Sequence, residues 1–248
     1  MSAATFIVNL LNKDTHNNAA FRSGSELLPG KRAAEWRAGD LARAGHVDLL
    51  RIRLERLKAE SESESILEEE CNSADANEAA EHGDLETVRV LRAYGSHCTF
   101  VGADRAAMSG HLGVVHDLRA HDIHCTPAGA RWAAICGHLE MIRDLRAHSI
   151  HCSLRVADLA AGQGHLQVIE DLRADGIHCT SEGADWAATA GHLHVVQALR
   201  AVGIACTSYG ADGAAASGFL AVVRDLRAHG IHCTHEGADW AAQNGHVA

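Results

Sequence analysis

The residues best suited to chemistry in this sequence are its thiols and imidazoles, 8 Cys and 19 His in 248 residues. Seven of the thiols, Cys71, Cys98, Cys125, Cys152, Cys179, Cys206 and Cys233, recur every 27 residues, and Cys136 alone falls outside the series. A His precedes the Cys at His97, His124, His151, His178 and His232, and His121, His148 and His229 extend the pattern to H-x-x-H-C. Thiolate and imidazole are zinc ligands, but a zinc site needs about four of them converging on one point. A strict period spreads them along an axis instead. Disulfides meet a similar objection, because they need Cα atoms within about 6.8 Å, whereas packed helices stand about 8–10 Å apart. The aligned Cys therefore reads as a small buried hydrophobe. The aligned His reads as a donor near a helix C-terminus, where the partial negative charge favours it. A His/Cys-rich metal- or pH-responsive array is the alternative. Free imidazole titrates near about 6.5, and protonating every His would reverse the sign of the net charge of −10.

A fixed period of about 20–50 residues is the mark of a solenoid or other array. Aligned on Cys, residues 71–232 hold six complete units, and a seventh opens at Cys233. With Cys as position 1, Ala stands at positions 6, 9 and 10 and Gly at position 13 in every unit. Leu, Arg and Ala occupy positions 21 to 23 of all six complete units. In the unit Cys179–Ala205, Thr180 is placed to N-cap a first helix with small residues on one face. Gly191 ends it. Leu193, Val196 and Leu199 share a face of a second helix, which Gly203 ends. Such a pair is too short to fold alone, and stacking copies buries its apolar side. The fold class that follows is all-α, a helix-turn-helix solenoid.

The segment ADWAATAGHLHVVQALRAVG resembles the ankyrin repeat, on Ala187, Ala188, Gly191, His192, Leu193, Val195, Val196, Leu199 and Gly203. The same core recurs at Ala133–Leu145 and Ala160–Leu172. The usual ankyrin unit has about 33 residues. The shorter unit here lacks residues where ankyrins carry a projecting β-hairpin, so tight loops with reduced or absent hairpins are expected. The resemblance implies a stack of ankyrin-like repeats serving as a binding scaffold, not a catalyst, with the first helices lining a concave surface. It also aligns the recurrent Cys with a buried Val.

Three divisions are expected: a leader or loose cap at 1–32, a degenerate first repeat with an acidic insertion at 33–70, and the regular repeats at 71–248. The insertion AESESESILEEE is expected to be mostly helical and exposed. The last unit lacks most of its second helix, which is read as truncation, the alternative being an end that pairs with something. No apolar run approaches the roughly 18 residues that span a bilayer. The apolar patch Ala3–Leu11 lacks a preceding Lys or Arg and makes a poor secretory signal. These features predict a cytoplasmic protein without a membrane partner. The negative charge is not segregated along the chain, which predicts no nucleic-acid partner. No cofactor is expected. Gly162-Gln163-Gly164 lies at a helix junction rather than in a phosphate loop, and no nucleophile stands apart from the repeats.

Invariant positions hold the stack, and variable ones are free to read a protein partner. Positions 4, 8, 11 and 12 share one face of the first helix. They nominate Arg105, Trp132, Ile135, Leu159, Glu182, Trp186, Thr189, Tyr209, Glu236, Trp240, Gln243 and Asn244 as candidate partner-binding residues. Trp is enriched at binding hot spots. Trp132, Trp186 and Trp240 recur in alternate units, so interdigitation of large and small side chains between neighbours is the competing reading, and buried large apolar residues are the commoner case. The Gly-His histidines (His111, His138, His165, His192, His246) are expected to bond loop backbone. Asp at position 20 and Arg at 22 (Asp144/Arg146, Asp171/Arg173, Asp225/Arg227) are expected to pair between units and to set register, at about 0–1 kcal/mol per exposed pair.

Overall fold

The computed structural model describes residues 36–60, 69–152 and 155–246. Among them are fifteen α-helices and no strand. The first helices of the units are α1 (Ala38–Arg43), α3 (Ser73–Glu81), α5 (Phe100–Met108), α7 (Pro127–Ile135), α9 (Val156–Gly162), α11 (Ser181–Thr189), α13 (Ser208–Ala216) and α15 (His235–Gln243). The second helices are α2 (Val47–Glu60), α4 (Leu85–Ala93), α6 (Leu112–Arg119), α8 (Leu139–Ala147), α10 (Leu166–Ala174), α12 (Leu193–Ala201) and α14 (Leu220–Ala228). The leader expected at 1–32 and most of the acidic insertion lie outside the described residues.

Local chemistry defines each pair. Thr99, Thr126, Thr180 and Thr207 each accept a hydrogen bond from the N–H two residues on and so N-cap α5, α7, α11 and α13. The Gly at position 13 takes positive φ, for example +81° at Gly191, a conformation that costs glycine least. It also leaves room for the next unit. A Cβ on Gly137 would stand 2.5 Å from Nδ1 of His165. The rings of His111, His138, His165, His192 and His246 all occupy this place, and Phe219 takes it opposite Gly191. What recurs at this position is packing, the contact that Phe can also make.

The core is one continuous column. The Ala of the first helices and the Val, Ile, Met and Leu of the second helices are buried along it, and so are Cys71, Cys98, Cys125, Cys179 and Cys206. First helices lie against their neighbours far more closely than second helices do. The first helices form the tighter of the two rows, the row expected from sequence to line a concave, inner side.

Two ladders set the register. On the second helices, Asp117 accepts from Arg92 and Arg89, Asp144 from Arg119 and His116, Asp171 from Arg146 and Arg143, and Asp225 from Arg200 and Gln197. The Asp and the Arg thus pair between units, each Asp with the Arg of the preceding one. The ladder skips one rung, where Ala198 stands opposite Arg173.

The other ladder lies within the first helices. Asp104 accepts from both the N–H and the hydroxyl of Thr126, at 2.7 and 2.6 Å. Asp158 does the same for Thr180, Asp185 for Thr207 and Asp212 for Thr234. Asn77 fills this role for Thr99. Close approach makes the latch possible. A Cβ on Gly210 would stand 2.9 Å from the Cα of Asp185, and one on Gly183 would stand 2.8 Å from that of Asp158.

Candidate functional site on the inner helix face

The same two rows of first-helix positions that face inward are placed by neighbouring units together. The side chain at position 8 rests on position 11 of the preceding unit. Arg105 pairs with Glu81 at 2.9 Å. Trp186 covers Gly162, where an added Cβ would meet the Trp186 Cβ at 3.2 Å. Gly213 sits against the Thr189 side chain. Large meets small where Trp186 covers Gly162 and where Gly213 faces Thr189, and Trp186 is half-buried.

The inner face is not closed by this packing. Trp132 and Trp240 each remain 42% exposed and Tyr209 63%. Phe100, at 58%, and Val101 are exposed on α5 as well; sequence reasoning did not nominate them. Glu236, Gln243 and Asn244 are exposed on α15 and its C-cap, and the Asn244 amide donates to the Ala216 carbonyl at 2.8 Å. Ile135 and Leu159 are half-buried. Thr189 turns its hydroxyl onto the Asp185 carbonyl of its own helix, 2.9 Å away. Glu182 pairs with Arg155, whose guanidinium also lies over the Trp186 ring. The structure thus leaves Trp132, Tyr209 and Trp240 accessible, on α7, α13 and α15, and ties Arg105, Glu182 and Thr189 to internal partners.

The thiols and imidazoles are arranged differently. All eight cysteines are free. The Cys98, Cys125, Cys206 and Cys233 thiols donate to Ala carbonyls of the preceding first helix at 3.1–3.3 Å. Burial pushes the Cys98 thiol up to about 11, and those of Cys125, Cys179 and Cys206 up to about 12. The nucleophilic form is the thiolate. Cys136 is exposed. A maleimide at neutral pH is therefore expected to label Cys136 first in the folded chain, and the buried four only after denaturation; peptide mapping of a timed reaction checks the order, and early labelling of Cys125 or Cys179 contradicts it.

His121, His148 and His229 set Nδ1 2.7–2.8 Å from the carbonyl four residues back, the C-terminal donor role expected of them. Among the described residues no three His, Cys, Asp or Glu gather where they could share a metal ion. No described helix is long and apolar enough to cross a membrane.

The Asp ladder carries a pH dependence. Burial alone would raise the Asp117 and Asp171 carboxyls, but hydrogen bonds and charge from Arg92 and Arg89, and from Arg146 and Arg143, outweigh it and hold both below the usual range. The Arg200 hydrogen bond does the same for Asp225, against burial. A depressed folded pKa stabilises above the unfolded value of about 3.9, and the stabilisation is lost as pH falls through the folded pKa. The expected result is a Tm independent of these groups near neutrality and falling below about pH 4. Asp171→Asn should flatten that acid limb in a thermal melt series; an unchanged limb contradicts the assignment.

The architecture is that of an ankyrin-like helical-repeat solenoid. No protein-family model and no curated protein matches the chain. Among solved structures, the human ASB11 ankyrin repeat domain is similar with a TM-score of 0.52 and 17% identity, over 63% of this chain and 84% of that one. The maize pentatricopeptide repeat protein PPR10 is similar with a TM-score of 0.43 and 13% identity, over 84% of this chain and 36% of that one. PPR10 in complex with an 18-nt psaJ RNA element matches with a TM-score of 0.40 and 14% identity, over 98% of this chain and 40% of that one. The exclusion of nucleic acid drawn from net charge is corrected by that last finding, since a helical-repeat neighbour holds RNA. The physical fault lies in the inference: a whole-chain charge averages over all faces and does not describe any one groove.

Proposed function

We propose that the protein is a non-catalytic, intracellular protein-interaction scaffold whose inner first-helix face holds its partner. The observation that carries this reading is the set of large aromatic side chains that the first helices leave in water, Phe100, Trp132, Tyr209 and Trp240. Exposed large apolar side chains are the anchors that interfaces use, and Trp and Tyr dominate interface energetics. The backbone beneath is fixed by latches and Ala–Gly contacts, so ordering costs on binding are small. Eight free thiols, five of them deep in the core, fit a reducing compartment.

The test is panning of a linear-peptide display library against the folded chain, followed by titration of the selected peptides. Trp132→Ala and Tyr209→Ala are expected to weaken binding by about thirtyfold each, the effect of losing about 2 kcal/mol at a hot spot. Both should leave the thermal melt within a few degrees of the parent. A selection that yields nothing dependent on these residues contradicts the proposal. So does a collapse of stability in Trp132→Ala, because it makes Trp132 a packing residue.

A further inference from the structure

Of the six junctions between neighbouring units from α3 to α15, five carry the carboxylate or amide latch on Thr and one does not. Between α7 and α9, position 7 is Arg131 and the facing Gly is replaced by Val156. Val156 is fully buried and fills the space that an Asp side chain takes elsewhere. The consequences are local and consistent. α9 opens two residues later in its unit than its counterparts, from an Arg155 N-cap whose side chain makes no capping hydrogen bond. α7 and α9 also share less contact than any other neighbouring first helices from α3 onward. Among the described residues the exception brings the stack no internal hydrogen bond that the other junctions lack.

What the exception supplies is an accessible cation. Arg131 is exposed, and its guanidinium carbon lies 5.4 Å from the centroid of the half-exposed Trp132 ring. Among the described residues no carboxylate pairs with it, whereas Arg105 and Arg155 on the same face are already neutralised by Glu81 and Glu182. Local rules are broken in natural proteins chiefly at functional sites. A stacked guanidinium presents its planar fork edge-on to a carboxylate, and the indole beside it takes an apolar side chain. One free guanidinium between two neutralised ones fits a single carboxylate better than a continuous run of phosphates.

We propose that Arg131 over Trp132 is the carboxylate-recognition point of the inner face, and that the partner segment seated there is a peptide carrying Asp or Glu beside an apolar residue. This rests on the scaffold reading above. The experiment pans a random linear-peptide library against the full chain and compares wild type, Arg131→Gln and Arg131→Glu, with random single-stranded RNA as a second probe. The expected result is enrichment of acidic-apolar pairs by wild type, binding at least about tenfold weaker with Arg131→Gln, and a switch toward Lys- or Arg-bearing peptides with Arg131→Glu. Arg131 is exposed, so the melt of Arg131→Gln should match the parent, and a cooperative melt, even one somewhat lower, shows that Arg131→Glu folds. Selected peptides that need Trp132 but lack an acid, or that bind Arg131→Gln undiminished, overturn this inference and leave the scaffold reading standing. An empty peptide selection overturns both. Arg131-dependent retention of RNA without selected acidic peptides assigns the site to phosphate and overturns the peptide proposal.

Discussion

Asp185→Ala is expected to cost the fold about 2–3 kcal/mol and to lower Tm by about 5–10 °C. The carboxylate is 5% exposed and holds both the N–H and the hydroxyl of Thr207 at 2.7 Å. That hydroxyl in turn accepts from the Tyr209 N–H at 3.1 Å and caps α13. Deleting the carboxylate leaves a backbone donor without a partner at a close helix contact, and an unmade buried hydrogen bond costs more than a made one contributes. Asp185→Asn is expected to be mild, within about 1 kcal/mol, because Asn77 already performs the task at the first junction, accepting from the Thr99 N–H and donating to its hydroxyl. Thermal and urea melts of the two variants decide it. Equal damage from both would mean that the charge, and not the hydrogen-bond pattern, holds the junction.

The repeat and its helix pair were legible because the Ala, Gly and Leu positions act within one unit, and seven copies of a 27-residue pattern repeat the same instruction. The Arg–Asp ladder was legible for a related reason: opposite charges recurring on one helix face invite pairing between stacked copies. The latch was harder. Its partners lie 22 residues apart and in different units, so no local propensity betrays them. The signal was present only as a joint exception, in which Asp gives way to Arg131 in the same junction where Gly gives way to Val156. The Trp series could not be settled from sequence because position 8 serves two ends at once. Trp186 lies on Gly162, while Trp132 stays 42% exposed. Large meets small at Trp186 and Gly162, as packing demands, but Trp132 stands a unit on from Met108 and keeps much of its surface in water. The histidines after Gly were read as bonding loop backbone, and His192 does so with Gly162; the reading did not foresee the ring's packing against a glycine that has no Cβ, a contact Phe219 also makes.

A double-mutant cycle at the exceptional junction separates these two roles of position 7. Arg131→Asp alone is expected to cost about 1–3 kcal/mol, because the new carboxylate meets the buried Val156 where every latched neighbour offers Gly. Val156→Gly alone removes a buried side chain and is expected to cost about 2–3 kcal/mol. Together they recreate the pair found at the four Asp-latched junctions, Asp on one helix and Gly on the next, with Ser153 at the position where those junctions place Thr. The double variant should therefore be more stable than the sum of the single effects by about 1–3 kcal/mol, a coupling of the size seen between residues in direct contact. Strict additivity would show that position 7 and position 5 do not share the space assigned to them. The same double variant lacks the exposed guanidinium. If the junction gave up its latch to hold that cation, restoring the latch should recover the melt while peptide binding stays lost, and recovery of both would separate Arg131 from recognition.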